Sequence, residues 1–168
     1  MMSERLKVRI ILFSESSSLL VLLIGTYPGE PIFRLRLDPP EKLYFPWGKD
    51  ANCSGAKAML KITNQLKENQ IFKIKCSDST LFQTNPHYGF ITPGQCVEIS
   101  ISASRSFRPP ENMHFIAVLH MKCKDNDKTK TAKEAWRGDD YTDGITRVQA
   151  HFTPITTVSR VRTGEKEK

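Results

Sequence analysis

An all-β chain folded as an antiparallel β-sandwich of immunoglobulin-like architecture is predicted by three features of the sequence. Between Phe33 and Pro154, apolar residues recur with a period of two in seven or so short runs. Turn chemistry falls between many of the runs, at Asn85-Pro86, Thr92-Pro93-Gly94, Arg108-Pro109-Pro110, Asp125-Asn126-Asp127 and Thr142-Asp143-Gly144. Only Lys128 to Trp136 has helix-forming composition, and that stretch is short. Many short strands with turns at this spacing close most readily into two packed sheets. The chain has 168 residues, 39% hydrophobic and 26% charged, which excludes collagen-like, low-complexity and wholly disordered classes and suits one domain.

The runs follow in order. Phe33, Leu35 and Leu37 alternate with Arg34 and Arg36 until Pro39-Pro40 breaks the pattern, and Leu43 to Phe45 comes next. Ala58, Leu60 and Ile62 alternate with Met59 and Lys61 before a turn at Asn64. Phe72, Ile74 and Cys76 alternate with Lys73, Lys75 and Ser77, followed by a short extended piece from Leu81 to Thr84. Val97, Ile99, Ile101 and Ala103 alternate with Glu98, Ser100 and Ser102 in the cleanest amphipathic strand of the chain. Phe115, Ala117, Leu119 and Met121 are predicted to form the inward face of another strand, and Val148, Ala150 and Phe152 that of the last.

Both ends depart from this pattern. Residues 1–34 are expected to be an N-terminal extension of the sandwich and residues 156–168 a polar, solvated tail, with the domain itself spanning 35–155. The apolar stretch near the start is interrupted by Glu15 and serines, unlike a signal-peptide core, and Leu19 to Ile24 falls far short of a bilayer span. No transmembrane anchor and a cytoplasmic location are therefore expected. Net charge is +7, but it is spread thinly, with 17 basic and 13 acidic residues in 35–155 and no block of like charges. Without a basic stripe interleaved with aromatics, nucleic acid is not an expected partner. Cys53, Cys76, Cys96 and Cys123 lack the close spacing of zinc ligands and are read as free thiols.

Catalytic signatures are absent. Phosphate-binding glycine motifs, GxSxG and HExxH do not occur, and His87, His114, His120 and His151 lie apart from any nucleophile motif. Asp139, Asp140 and Asp143 do not meet the calcium-loop pattern. No enzyme activity, cofactor or metal is expected.

Alternation instead points to a surface patch. If Phe72, Ile74 and Cys76 face the core, Lys73, Lys75 and Ser77 face outward; by the same rule His114, Ile116, Arg147, Gln149 and His151 are predicted outside. Lys73, Lys75 and Arg147 then supply attraction for an acidic peptide, Ser77 a hydrogen bond and Ile116 an apolar contact.

The segments Leu37-Asp38-Pro39-Pro40, Leu60-Lys61-Ile62-Thr63-Asn64, Phe72-Lys73-Ile74-Lys75, Pro86-His87-Tyr88-Gly89-Phe90-Ile91-Thr92-Pro93-Gly94 and Val97-Glu98-Ile99-Ser100-Ile101 resemble, in order and spacing, the major sperm protein (MSP) domain. Glu134-Ala135-Trp136-Arg137-Gly138-Asp139 looks like that family's closing segment. The likeness covers about residues 35–155. It implies a seven-stranded immunoglobulin-like sandwich without enzymatic activity and two uses. One is self-association into dimers and filaments, as in nematode sperm motility, which implies a soluble cytoskeletal protein. The other is binding of acidic peptides bearing two phenylalanines, the FFAT motif, as in the VAMP-associated proteins. Carried over by position, the peptide site comprises Lys73, Lys75, Cys76, Ser77, His114, Ile116 and Arg147. Of the two threonines usual after the lysines, only Ser77 keeps a hydroxyl. The family's Lys-Phe-Met becomes His114-Phe115-Ile116, a titratable imidazole and a stiff branched side chain.

Overall fold

The computed structural model describes residues 25–47, 56–104, 113–123, 130–136 and 141–154. The expected turns at Arg108-Pro109-Pro110 and Asp125-Asn126-Asp127, Cys53, the first 24 residues and the polar tail lie outside them. Among the described residues the elements run β1 Arg36–Asp38, β2 Lys42–Trp47, β3 Ala56–Thr63, β4 Gln70–Cys76, β5 Phe82–Asn85, β6 Tyr88–Ile91, β7 Cys96–Ala103, β8 Phe115–Lys122, α1 Ala132–Ala135 and β9 Gly144–Pro154. They form a four-stranded sheet, β1-β3-β7-β5, facing a five-stranded sheet, β2-β9-β8-β4-β6. The predicted sandwich is thus the observed one. Every ladder is antiparallel except β2 with β9, which pair in parallel from Lys42–Gln149 to Trp47–Pro154. These two strands come from opposite ends of the domain, so no hairpin sets their relative direction.

The interior is filled from both sheets. Ala56, Ala58, Leu60 and Ile62 of β3 point inward while Lys57, Met59 and Lys61 point out. Phe45 and Phe152 stack with centroids 5.4 Å apart, and Phe82 of the opposite sheet lies 5.6 Å from Phe45 and 6.1 Å from Phe152. This aromatic cluster ties β2, β9 and β5 together across the two layers.

Two features differ from the sequence expectation. The strand β6 is absent from the period-two runs because Gly89 sits in its middle and Pro86 just before it. Gly89 lies over the ring of Phe72, and any Cβ there would strike the ring edge. In β8 the predicted facing is reversed. Ile116 and Val118 are fully buried in the sandwich interior, whereas Phe115, Ala117, Leu119 and Met121 join a second apolar cluster with Ile71, Ala135 and Trp136. Both faces of β8 are apolar, so alternation alone does not say which face meets the other sheet. The outward placement of Ile116 is therefore corrected.

The second cluster lies on the outer face of the five-stranded sheet, roofed at one side by α1. Thr131 caps that short helix, accepting from the Glu134 N–H while the Glu134 carboxylate accepts from the Thr131 N–H. The cap sets Trp136 down beside Tyr88 of β6, with ring centroids 6.3 Å apart.

Candidate interaction face

Strand order decides which predicted site residues meet. In the ladders β4–β8 and β8–β9, Lys73 is opposite Leu119, Lys75 opposite Ala117, and Ala117 opposite Arg147. Lys75, Ala117 and Arg147 therefore form one row across three adjacent strands, with Lys73 one row along on the same face. Alternation placed these three cations on one side of the sheet, and the register puts them together.

Their surroundings differ from a simple solvated patch. Lys73 is only 8% exposed, and its ammonium lies 5.4 Å from the Tyr88 ring centroid and 5.6 Å from that of Trp136. Its stem covers apolar surface while its charge faces two π systems. Lys75 is half-buried. Arg147 is buried, with its guanidinium carbon 3.7 Å from the Tyr27 centroid and 5.8 Å from that of Phe115. It donates from both terminal nitrogens to the two oxygens of Glu30, at 2.7 and 2.6 Å, a fork-to-fork pair. Burial alone would raise the Glu30 pKa. The hydrogen bond from Arg147, the Tyr27 N–H and the attraction of the guanidinium outweigh it and hold the carboxyl below its ordinary value.

Backbone pairing fixes this contact. Gly25 donates its N–H to the Arg147 carbonyl at 2.9 Å and accepts from the Arg147 N–H at 3.1 Å. The Ile145 N–H donates to the Pro31 carbonyl, and Ile32 bridges Ile145 in parallel. The β2 ladder begins only at Gln149, so residues 25–32 close the edge of β9 that β2 does not reach. Tyr27 and Glu30 were missed by the strand pattern, since they lie in the segment read as an extension. No signal local to the segment marks them, because their partner Arg147 lies 117 positions beyond Glu30 in sequence.

The remaining predicted residues lie elsewhere. Cys76 faces the sandwich interior, where burial first and Asp78 second push its thiol up to about 11, leaving a protonated, weakly nucleophilic sulfur. Ser77 accepts from the Phe115 N–H at 3.2 Å and meets His114 Nδ1 at 3.2 Å, at the end of the sheet. The edge of His114 meets Phe82 at 5.8 Å between centroids, and burial holds its pKa below the ordinary histidine value against the attraction of Asp78. Asp78 Oδ1 is occupied by Thr80 and the Leu81 N–H, so the carboxylate that would complete a serine–histidine pair is turned into its own loop. Among the described residues, no group of histidine, cysteine and carboxylate side chains is arranged to hold a metal, and no helix is long and apolar enough to cross a membrane.

The sequence model of the MSP (Major sperm protein) domain matches residues 34–140. The chain belongs to the MSP domain family. Two relatives come from Caenorhabditis elegans. Uncharacterized protein R05D3.5 is 24% identical over 148 residues, covering 74% of this chain and 79% of that protein. Uncharacterized protein ZC262.1 is 26% identical over 95 residues, covering 55% and 69%. Among solved structures, SSP-19, an MSP-domain protein like family member of C. elegans, superposes with a TM-score of 0.53 at 22% identity over 70% of this chain and 99% of that one. WR4, a C. elegans MSP family member, gives 0.51 at 17% identity over 71% and 97%. Both carry the same sandwich fold. MSP domains are a non-enzymatic class of interaction and structural domains. In this MSP domain the Glu30–Arg147 pair joins residues on either side of the matched span.

Proposed function

We propose that this MSP domain is a protein-interaction module whose outer five-stranded face docks acidic segments carrying an aromatic anchor, the FFAT-like class. The observation that carries this reading is the row Lys75–Ala117–Arg147, with Lys73 beside it, in which Arg147 grips a carboxylate and an aromatic ring together. Lys75 supplies attraction, the Lys73–Tyr88–Trp136 group a shaped wall, and Ser77 a polar end to the row, backed by His114, whose ring, predicted outward, packs instead toward Phe82 of the opposite sheet. Cys76 and Ile116 support the strands from the interior side. For a synthetic acidic peptide with two phenylalanines, Lys75→Glu is expected to weaken binding at least tenfold, and added salt to weaken binding to the unaltered chain. Fluorescence anisotropy reads both. Equal affinity in the two chains overturns the reading. Lys75 is the better residue for reversal because a carboxylate at position 73 would be pressed against two ring faces.

Self-association as a structural, cytoskeletal protein is the second reading. It is favoured by the sheet order, in which β1, β5, β2 and β6 are terminal strands, and by the exposure of Tyr44 on β2 and Met59 on β3. Sedimentation velocity over a concentration series is expected to show dimers or larger species, and monomer throughout overturns it.

A further inference from the structure

We propose that residues 25–30 are an intramolecular occupant of the interaction face, held where an acidic, aromatic partner segment would add to β9. The inference rests on the peptide-docking reading and deepens it by naming what the face recognises and what keeps it closed. Three independent contacts of the segment have the character of a bound ligand. Gly25 exchanges two backbone hydrogen bonds with Arg147, as an added strand does. Glu30 engages both terminal nitrogens of the buried guanidinium, and the Tyr27 ring covers the guanidinium plane. The segment thus presents an aromatic ring followed three residues later by a carboxylate, on a backbone paired at the strand edge.

Chemistry and topology both make the segment separable. It packs on the edge and outer face of β9, outside the aromatic core of Phe45, Phe82 and Phe152, so its release leaves the two sheets and their ladders intact. Release uncovers the edge of β9 at Arg147 and the Ile145 carbonyl to which the Thr26 hydroxyl donates, together with the guanidinium. A partner segment of the same character competes for this place. Its apparent dissociation constant is weakened by the fraction of chains in which the place is open.

The test uses the full chain and the acidic diphenylalanine peptide. In Tyr27→Gly/Glu30→Lys, the ring is lost and a lysine is set against Arg147, so the segment is expelled; Glu30→Gln is the milder variant. Hydrogen exchange checks the release. The amide of Arg147, which donates to Gly25, is expected to lose protection while the β4–β8 ladder keeps it. The expected result is peptide binding at least tenfold tighter in the double variant, with Glu30→Gln between it and wild type. Binding by the released form alone supports the inference in its strongest form. Equal affinity of the released and unaltered chains, with release confirmed by exchange, overturns the inference and leaves the docking reading standing. No binding by any form ends both.

Discussion

Asn64→Ala is expected to lower the unfolding free energy by about 3 kcal/mol, although the residue follows β3 in a turn. Asn64 is fully buried. Its side-chain amide donates to the carbonyls of Ile91 and Glu68, both at 2.9 Å, and its side-chain oxygen accepts from the Leu66 N–H at 2.9 Å. Its backbone adds bonds to Gln95 and Gly94, which turns at a φ of 77°. The side chain therefore ties the end of β3 to the end of β6 and to the loop before β4, while the backbone of the same residue holds the turn leading into β7. Truncation removes three hydrogen bonds worth about 1 kcal/mol each and leaves the Ile91 carbonyl without its partner in the interior. Asn64→Asp is expected to be no better, because it turns an oxygen toward two carbonyls that need donors. Urea unfolding at neutral pH checks both, with the exposed neighbour Gln65→Ala expected within about 0.5 kcal/mol of wild type. A loss below about 1 kcal/mol for Asn64→Ala would show that the turn is held by its backbone bonds alone.

The contrast between Asn64 and the interaction face shows where sequence is informative. The strands with one polar face, β3 and β7, were legible because alternation there corresponds to interior and solvent. That signal vanishes where a strand is covered twice. β8 is buried from Phe115 to Met121, and its reversed facing misplaced Ile116. β6 was hidden by Gly89, whose role is to make room for the Phe72 ring, a contact made by tertiary packing. At the site, parity was enough to place Lys73, Lys75 and Arg147 on one face. Their register required the ladder order β4-β8-β9, which no local pattern encodes. The most consequential contact, Glu30 with Arg147, spans 117 positions of sequence. A segment that pairs with a strand edge through Gly25, Pro31 and Ile32 shows no alternation of its own, and so reads as an appendage until the partner strand is known.

Acid is expected to destabilise the fold well above the carboxylate range, through His120. This imidazole is fully buried between the sheets. Its Nδ1 lies 3.0 Å from Gln70 Oε1, and its Nε2 accepts the Arg34 N–H at 3.2 Å, so the hydrogen bonds define the neutral ring protonated on Nδ1. Phe33 packs edge-on at 5.2 Å between centroids, and Gly144 passes so close that a Cβ would collide with the imidazole. A proton on Nε2 would confront the Arg34 N–H with no acceptor in place. Burial, with the Arg34 charge second and Asp143 opposing both, pushes the pKa down from 6.5 to about 4. Because the folded value lies below the unfolded one, the unfolded chain binds the extra proton first. Stability is therefore full above about pH 6.5 and declines as pH falls toward 4, by about 3 kcal/mol in all. Glu30 has the same sign of dependence but acts lower, since a carboxyl held below its ordinary 4.5 loses its contribution only as pH falls through that depressed value. Unfolding free energies from urea titrations between pH 7 and 4.5 are expected to fall steeply in wild type and much less in His120→Gln. The slope left in the variant combines His114, whose pKa burial also lowers, with depressed carboxyls such as Asp78 near the acid end of the range. Equal slopes in the two chains would mean that His120 accepts its proton inside the fold at no cost, against the hydrogen bonds that surround it.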